Sequence, residues 1–588
     1  MLKKRNLAKK TIHPDEIFVD SENIPGFDKY QFEGRLEKPI TKSTFIGIGI
    51  CLFILGGLLF AKIIHLQIIK GEAYVLRSEN NYLRAITIFP SRGIIYDRKN
   101  RELAWNDSVQ EENGLKMVRA YTSSPGLAHV LGYIGAGKAG KIIGLDGIEK
   151  KQESVLAGEA GVKLVETDSK NEITSESVVR PPQNGKSIKL TIDAELQSKI
   201  YDILENTVKE RGFNGAAAVI IDVNSGEVLA LASYPEYNSQ ILSRGKPETS
   251  IEEYFKNPQK PFVNRAISGL YAPGSIIKPL IALAALSEKI IDPEKQIFSS
   301  GSISLPNPFF PDKQNIFMDW KAHGWVDMRR AIAVSSNVYF YTIGGGHDDV
   351  KGLGISNISK YANLFGFGSK TNIDLDKEEK GLVPSPSLKA VNNPSDPVWR
   401  IGDTYNASIG QGDFQITPIQ AAIYAANIVN NGKILQPYLV MPDSSENKTP
   451  MTGKTVAIPA EYFQIVKEGM RRAALEGTAK GLSDLGVEIA AKTGTAELES
   501  DANKFVNSWI IGFLPYQKPR IAFSILLEKG RATNLVGGVY VAHQLFDWML
   551  IHTPEYLKDL TPVRDRVSLE TRRLSIDNLS LMGLTGAD

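Results

Sequence analysis

The chain has 588 residues, which is too long for one ordinary hydrophobic core, and we expect about three or four domain-sized pieces. Its 68 basic and 66 acidic residues give a formal net charge of +2 with no long block of like charge, which argues against a nucleic-acid partner. The single cysteine, Cys51, excludes an intramolecular disulfide and a thiolate cluster for a metal.

The first predicted element is a membrane-spanning helix at residues 43–64. Residues 43–61 carry no charge between Lys42 and Lys62, and such a run is long enough to cross a bilayer. Because Leu59 stands where a cleaved signal peptide would have a small residue, we predict an uncleaved anchor, with a buried core helix as the alternative. The positive-inside rule then predicts a cytoplasmic tail at residues 1–42, which contains the basic cluster Lys3, Lys4, Arg5, Lys9 and Lys10.

Residues 65–186 are predicted to form small β-containing modules, because short apolar runs alternate there with glycine-rich stretches. The sequence GYIGAGK at residues 132–138 matches a phosphate-binding loop up to its lysine. Ala139 stands where such a loop needs a Ser or Thr to bind magnesium. We therefore interpret it as a glycine-rich turn.

A larger domain is predicted from residue 187 to about 560. It opens with an amphipathic helix whose apolar stripe is Leu196, Ile200, Ile203, Leu204 and Val208, followed by a hairpin around residues 224–226. The far end has three strand-like runs and a helical pattern over residues 539–551. We expect strands from both ends to share one antiparallel sheet in an α+β fold. Residues 561–588 are polar and are predicted to form a mobile tail.

A lysine is embedded in the apolar run YAPGSIIKPLIALAAL at residues 271–286. A helix that begins near Ser275 places Lys278 one turn further on the same face, so that the hydroxyl and the amine can touch. Burial would lower the lysine pKa and let the neutral amine act as a base for the serine. The spacing alone is weak evidence, since Ser243 with Lys246 and Ser445 with Lys448 also fit it, and a snorkelling lysine is the alternative.

Two further short motifs follow in the chain. Ser335, Ser336 and Asn337 interrupt an apolar helical stretch, which predicts a break between two helices. Lys492, Thr493, Gly494 and Thr495 interrupt a strand pattern, and the glycine would let another backbone approach the strand edge.

The order Ser-x-x-Lys, Ser-x-Asn, Lys-Thr-Gly is the motif set of penicillin-recognising serine enzymes. The chain resembles a class B penicillin-binding protein, of the penicillin-binding protein 2 type that serves cell-wall elongation. Four longer stretches also look like phrases of that family: FPSRGIIYDRKNRELAWN at 89–106, LAHVLGYIG at 127–135, HGWVDMRRAIAVSSNVYFY at 323–341 and NASIGQGDFQITPIQ at 406–420. The resemblance implies a transpeptidase fold, an antiparallel sheet with helices on both faces, joined to a membrane anchor and a pedestal domain.

The resemblance also implies roles for the motif residues. Ser275 would attack the peptide bond between two terminal D-alanines of a peptidoglycan stem, and Lys278 would take its proton. Ser335 would relay protons, and Asn337 would hold the donor peptide. Lys492, Thr493 and Thr495 would engage the donor carboxylate, with Gly494 between them, and the amides of Ser275 and Thr495 would form the oxyanion hole. The amine of a second stem would then attack the ester, so no cofactor, nucleotide or metal is needed.

The implied partners are peptidoglycan stem peptides, β-lactam antibiotics, the cell membrane and a separate membrane glycosyltransferase of the elongation type. Two departures from the family pattern stand out: the pedestal lacks much of the usual insertion after Asn106, and Ala491 precedes Lys492 where glycine is frequent. The shortened insertion puts contacts with partners through the pedestal in doubt.

Other functions share these motifs. A β-lactamase would have to hydrolyse its acyl-enzyme, and the Glu-x-x-Leu-Asn stretch that serves this step in one class is absent from the sequence. A D,D-carboxypeptidase would use water as the acceptor. A penicillin-sensing receptor would need a signalling domain, for which residues 1–42 are too short and too polar, and a non-catalytic scaffold would keep the fold without the reaction.

Overall fold

The computed structural model describes residues 41–75, 83–111, 114–137, 141–167, 173–307, 310, 312–442, 451–498 and 505–557. Most of the predicted cytoplasmic tail, residues 138 and 139 of the glycine-rich turn and the predicted polar tail at 561–588 lie outside these residues. The described part of the chain falls into two compact units. The first comprises residues up to 86 together with 164–177, and the second comprises 87–163 and 178 onward.

The strands and helices are numbered in chain order. The strands are β1 Leu83–Ile88, β2 Ile95–Tyr96, β3 Glu102–Glu111, β4 Gly114–Tyr121, β5 Ile134–Ala136, β6 Ile142–Gly144, β7 Gly161–Thr167, β8 Ile173–Arg180, β9 Ile188–Lys189, β10 Gly215–Asp222, β11 Val228–Tyr234, β12 Ile297–Ser299, β13 Ser302–Pro306, β14 Gln314–Met318, β15 Gly324–Val326, β16 Lys433–Leu435, β17 Met451–Thr455, β18 Ala490–Leu498, β19 Phe505–Leu514 and β20 Ile521–Arg531. The α-helices are α1 Lys42–Ile64, α2 Ala128–Leu131, α3 Gly147–Lys151, α4 Glu153–Leu156, α5 Ala194–Arg211, α6 Ser239–Arg244, α7 Glu248–Lys256, α8 Arg265–Ser268, α9 Lys278–Ser287, α10 Met328–Val334, α11 Asn337–Gly345, α12 Gly354–Leu364, α13 Pro386–Asn392, α14 Ile401–Ser408, α15 Pro418–Val429, α16 Ala460–Glu476 and α17 Gly538–His552.

The first unit contains the predicted anchor. Helix α1 continues through a π-helical turn, His65–Ile69, and the span Lys42–Ile69 is 28 residues long and none of its most apolar window is buried. By length and composition it is able to cross a membrane. Most residues of a three-stranded sheet, in the order β1-β7-β8, also belong to this unit.

The second unit begins with a small β module, as predicted for this part of the pedestal. Its sheet has the order β4-β3-β2-β9. Beside the sheet, the fully buried carboxylate of Glu149 pairs with Arg92 and with Arg119, whose Nε lies 2.7 Å from Glu149 Oε1. Arg92 also pairs with Glu153 at 2.8 Å, so two guanidinium groups face two carboxylates, and Arg119 ties α3 to strand β4.

The main sheet of the second unit has the order β11-β10-β20-β19-β18 with antiparallel pairing throughout. Its strands come from both ends of the larger domain, as the sequence predicts. Successive side chains of a strand point to opposite faces of its sheet. Strand β10 is apolar on both faces, so both faces must be covered by helices. Ala216, Ala218 and Ile220 belong to one core cluster, and Ala217, Val219 and Ile221 belong to the other.

The first of these clusters is completed by α5 and α17. The predicted stripe of α5 is buried in it, together with Val541, Leu545 and Met549 of α17. The second cluster contains the apolar residues of α9 and α15. The α+β fold with helices on both faces of an antiparallel sheet is therefore confirmed, and α9, which follows Ser275, lies within the helical layer on one face.

Candidate active site

Ser275 lies in a 3₁₀ turn, Gly274–Ile277, that leads directly into α9. Pro279 occupies the first turn of α9, where its missing amide costs nothing, so the predicted start of the helix near Ser275 agrees with the structure. Gly274 has φ of +56°, and a Cβ atom there would lie 2.6 Å from the carbonyl oxygen of Thr495. The turn therefore needs glycine both for its backbone conformation and for its closeness to strand β18.

Gly494 allows the same close approach from the strand side. A Cβ atom at Gly494 would lie 2.8 Å from Pro273 O and 3.2 Å from Ile276 N. The prediction that this glycine lets a second backbone approach the strand edge is thus met by the turn that carries Ser275. As a result, the Ser275 turn and residues 494–495 adjoin each other.

Lys278 is fully buried and is directed at the break between α10 and α11. Its Nζ donates to Ser335 O at 2.8 Å, to Ser335 Oγ at 3.3 Å and to Asn337 Oδ1 at 2.7 Å. Ser335 has φ of +59° and ends α10, and Asn337 is the first residue of α11, so the predicted helix break is where the sequence places it. The backbone turn presents three acceptors to one amine.

One expectation about Ser275 differs from the structure. No hydrogen bond joins its hydroxyl to Lys278 in the described part of the chain, although the two residues are one turn apart. The Nζ of Lys278 is instead directed at acceptors of residues 335–337. Ser275 keeps a partly exposed side chain at the start of the turn.

Lys492 reaches the same turn from strand β18. Its side chain is fully buried, and its Nζ donates to Ser335 Oγ at 2.8 Å and to Thr493 O at 2.9 Å. Ser335 Oγ therefore accepts from two lysines. The motif residues Lys278, Ser335, Asn337 and Lys492 form one connected hydrogen-bond network.

Burial makes the charged form of both lysines costly. It lowers the pKa of Lys278 to about 7, against the opposing effect of the Asp319 carboxylate. Burial and the neighbouring Lys278 hold the pKa of Lys492 well below its usual range. A buried lysine amine that is neutral near pH 7 can accept a proton from a serine hydroxyl.

Two polar residues of the site were missed by the sequence analysis. Thr493 Oγ1 donates to Thr478 Oγ1 at 2.6 Å, and Thr478 N donates to Ala333 O at 3.1 Å, so the turn after α16 supports strand β18. Asp319 is buried behind Ser336. Neither residue belongs to a recognisable spacing, and only the packing of distant segments brings them to the site.

The arrangement suits acyl transfer through a serine nucleophile, with a buried amine one helical turn further along the chain and further donors on the strand edge. Within the described residues, no group of three or more His, Cys, Asp or Glu side chains lies close enough to hold a metal ion. The predicted oxyanion donors, the amides of Ser275 and Thr495, lie on the two backbones that Gly274 and Gly494 bring together.

Comparison with known sequences agrees with this geometry. The sequence model described as the penicillin binding protein transpeptidase domain matches residues 216–547, and the penicillin-binding protein dimerisation domain matches residues 113–190. The peptidoglycan D,D-transpeptidase MrdA of Escherichia coli K12 is 28% identical over an alignment that covers 89% of this chain and 96% of the relative. The MrdA protein of Haemophilus influenzae is also 28% identical, over 94% of this chain and 98% of its own length.

Solved structures give the same result. PBP2 of Pseudomonas aeruginosa in complex with WCK 5153 is 31% identical and superposes with a TM-score of 0.66, covering 81% of this chain and 100% of the other. PBP2 of Helicobacter pylori, solved in a complex with MreC, is 26% identical with a TM-score of 0.67 over 79% of this chain and 97% of the other.

Proposed function

The chain belongs to the class B penicillin-binding proteins of the penicillin-binding protein 2 type, and from that premise we propose that it is a peptidoglycan D,D-transpeptidase whose nucleophile is Ser275. The observation that carries the proposal is the buried Lys278, which shares Ser335 with Lys492 and has a pKa of about 7. Few structural reasons exist for placing two lysine amines in one apolar site. A buried lysine whose amine can be neutral at physiological pH is able to act as a base, and this favours a catalytic role for Lys278.

The first half-reaction forms an acyl-enzyme. Ser275 Oγ attacks the carbonyl carbon of the bond between two terminal D-alanines while its proton passes to Lys278 Nζ. The carbonyl oxygen becomes an oxyanion facing the amides of Ser275 and Thr495, each worth about 3 kcal/mol in comparable sites. The C–N bond then breaks, and the leaving D-alanine nitrogen takes up the proton through Ser335.

The second half-reaction transfers the acyl group to an amine. The amino group of a second stem peptide attacks the Ser275 ester, its proton passes to the site lysine, and the ester C–O bond breaks to restore the serine hydroxyl. Asn337, Lys492, Thr493 and Thr495 hold the donor peptide and its carboxylate during the first half-reaction, with Gly494 keeping the strand close to the turn. The peptide bond broken in the donor supplies the energy for the bond formed.

Acylation by benzylpenicillin tests the nucleophile. We expect the full chain to gain one covalent adduct, measured by intact mass and located by peptide mapping on Ser275. Ser275→Ala should gain none. Ser243→Ala is a matched control, since Ser243 also lies three residues before a lysine, and this variant should be labelled at the rate of the parent. An adduct on another serine would contradict the assignment.

We further propose that residues 43–64 anchor the chain in the inner membrane, with residues 1–42 in the cytoplasm and the catalytic domain on the outer side. The 28-residue helical span Lys42–Ile69, which is long and apolar enough to cross a membrane, supports this placement. Protease added to intact spheroplasts should remove the catalytic domain and leave the N-terminus protected. Protection of the catalytic domain would contradict the topology.

The transpeptidase domain is proposed to span residues 187–560 and the pedestal 65–186, with a membrane glycosyltransferase of the elongation type as the partner that polymerises the glycan. The Helicobacter pylori relative was solved in a complex with MreC, which supports the idea that proteins of this type work together with protein partners. Co-purification of the full chain with the polymerase from solubilised membranes tests the pairing. Recovery of the chain free of the polymerase under conditions that preserve other membrane complexes would contradict it.

A further inference from the structure

The segment that follows β14 runs directly behind the Ser335–Asn337 turn. Its first residue, Asp319, has a side chain with no exposed surface. A buried carboxylate is costly unless its oxygens are hydrogen-bonded or paired with a cation. The hydrogen-bond donors around Asp319 therefore show which parts of the site its carboxylate stabilises.

Both carboxylate oxygens of Asp319 accept hydrogen bonds, and Oδ1 also lies 3.6 Å from His323 Nε2. Oδ2 accepts from Ser336 Oγ at 2.8 Å, from Val338 N at 3.0 Å and from Ser299 Oγ at 3.2 Å. Oδ1 accepts from Trp320 N at 2.9 Å. Two of these four donors belong to the residues on either side of Asn337.

The bond to Ser336 fixes the direction of that hydroxyl. Because Ser336 Oγ donates its proton to Asp319, its lone pairs are left to cap α11, and it accepts from Tyr339 N at 3.3 Å. Val338 N lies in the first turn of α11, where amides have no acceptor within the helix, and it donates to Asp319 instead. The negative carboxylate thus lies at the positive end of the helix dipole. Asp319 thus holds the start of α11 in place.

Asn337 is the first residue of α11, and both polar atoms of its side-chain amide form hydrogen bonds. Its Nδ2 donates to Met318 O at 3.2 Å, and its Oδ1 accepts from Lys278 Nζ at 2.7 Å. A shift of the helix start would move Asn337 and Ser335 together, and with them the acceptors of Lys278. Asp319 also supplies the negative charge that opposes the effect of burial on Lys278.

We propose that Asp319 is a positioning residue for acylation: its buried carboxylate fixes Ser336 and the start of α11, and through them the orientation of Lys278. The inference rests on the proposed function, because it concerns the same base. It extends the site beyond the three sequence motifs to a residue that touches neither substrate nor Ser275.

The test is the pH profile of acylation by benzylpenicillin in the full chain, from pH 5 to 9, for the parent and for Asp319→Asn. The charged or titratable groups that face Lys278 are Lys492, Asp319 and His323. Loss of the negative charge disfavours the ammonium form, so the midpoint of the acid limb should move to lower pH. The plateau rate should fall at least tenfold, because an amide oxygen holds the two donors less firmly than a carboxylate does.

Three controls separate positioning from a general loss of structure. Ser336→Ala keeps the charge of Asp319 and removes one hydrogen bond, so its plateau should fall while its midpoint stays in place. Asp193→Asn changes another buried, helix-capping aspartate and should leave the midpoint unchanged. His323→Gln should retain the acid limb, and its disappearance would assign that limb to the imidazole and overturn the proposal.

The proposal would also be overturned if Asp319→Asn left the midpoint of the acid limb unchanged. The same holds if neither Asp319→Asn nor Ser336→Ala lowered the plateau rate of acylation. If Asp319→Asn does not fold, the plateau of Ser336→Ala alone decides whether the contact positions the site. Absence of any adduct in the parent chain would instead be a failure of the proposed function, and so the two failures are distinguishable.

Discussion

Ser335 Oγ accepts hydrogen bonds from two buried lysines, and their burial lowers the pKa of both amines. One hydroxyl has two lone pairs, and Lys278 and Lys492 both donate to it. Two ammonium groups that close in a dry site repel each other, which favours a neutral amine on one of them. One of the two amines is therefore favoured in the neutral form, which can accept a proton.

The acylation rate should follow the protonation of Lys278. The ammonium form cannot accept the proton of Ser275, so we expect the rate to rise with pH through a midpoint near the Lys278 pKa of about 7. Lys278→Ala should lower the plateau by roughly 10²- to 10⁴-fold. Stopped-flow acylation with a chromogenic β-lactam measures both quantities.

Lys467 provides the matched control for that variant. Burial also lowers the pKa of Lys467, and its Nζ donates to Asn431 Oδ1 at 2.9 Å, away from the Ser335 turn. Lys467→Ala should keep the parent's plateau and midpoint. A comparable loss of rate in both variants would mean that Lys278 acts only through stability.

At the scale of single elements, the two glycines between the Ser275 turn and β18 control how closely the nucleophile approaches the strand. Gly494→Ala would place a methyl group 2.8 Å from Pro273 O, which is a backbone atom and cannot rotate away. We expect a loss of stability of about 1–3 kcal/mol and an acylation rate that falls at least tenfold. Thermal denaturation and penicillin labelling measure the two effects.

Gly486→Ala is the control for this prediction. Its Cβ atom would meet Leu550 Cδ1 at 3.6 Å, an ordinary contact with a side chain. Acylation in this variant should match the parent. Normal labelling of Gly494→Ala would show that the strand does not restrict the turn.

The helices and strands of the domain were largely predictable, because their signals are local. The apolar stripe of α5, the hairpin of β10 and β11, and the helix break at Ser335 follow from periodicity and from polar interruptions within a few residues. The three motifs were recognisable because their order in the chain is distinctive. The sequence therefore predicts which residues meet at the site.

The details of the hydrogen bonding were not predictable in this way. Helical spacing places Lys278 one turn after Ser275, but the acceptors that take the lysine's donors come from a turn 57 to 59 residues further along the chain. Asp319 and Thr478 are single polar residues without a spacing pattern. Their hydrogen bonds at the site depend on the tertiary packing of distant segments, which cannot be predicted from a short stretch of sequence.

At the scale of the whole molecule, Asp193 links three distant parts of the second unit. Its Oδ1 caps α5 by accepting from Glu195 N at 3.1 Å, and its Oδ2 lies 2.8 Å from Lys99 Nζ and accepts from Tyr556 OH at 2.6 Å. The pedestal-side turn, the first helix of the larger domain and the end of the described chain meet at one buried carboxylate. Despite its burial, these partners lower the pKa of Asp193.

Asp193→Ala should destabilise the fold by about 3–5 kcal/mol, because removing one partner of a buried pair leaves the other uncompensated. Since the folded-state pKa is depressed, the contribution of Asp193 is present at neutral pH and is lost as the pH falls below the usual aspartate range. The stability difference between parent and variant, measured by denaturant titration, should therefore shrink toward pH 3. Glu195→Gln, which alters an exposed ion pair with Arg101, should cost about 1 kcal/mol or less.

The products of turnover show whether the acyl group on Ser275 is passed to an amine. The full chain is incubated with a stem peptide ending in D-Ala-D-Ala and an excess of an amine acceptor, and the products are separated by mass spectrometry. We expect a product in which the donor is joined to the acceptor, with release of one D-alanine, and we expect no such product from Ser275→Ala. Release of D-alanine with only the hydrolysed donor as product, from a chain that still forms the penicillin adduct, would contradict this expectation.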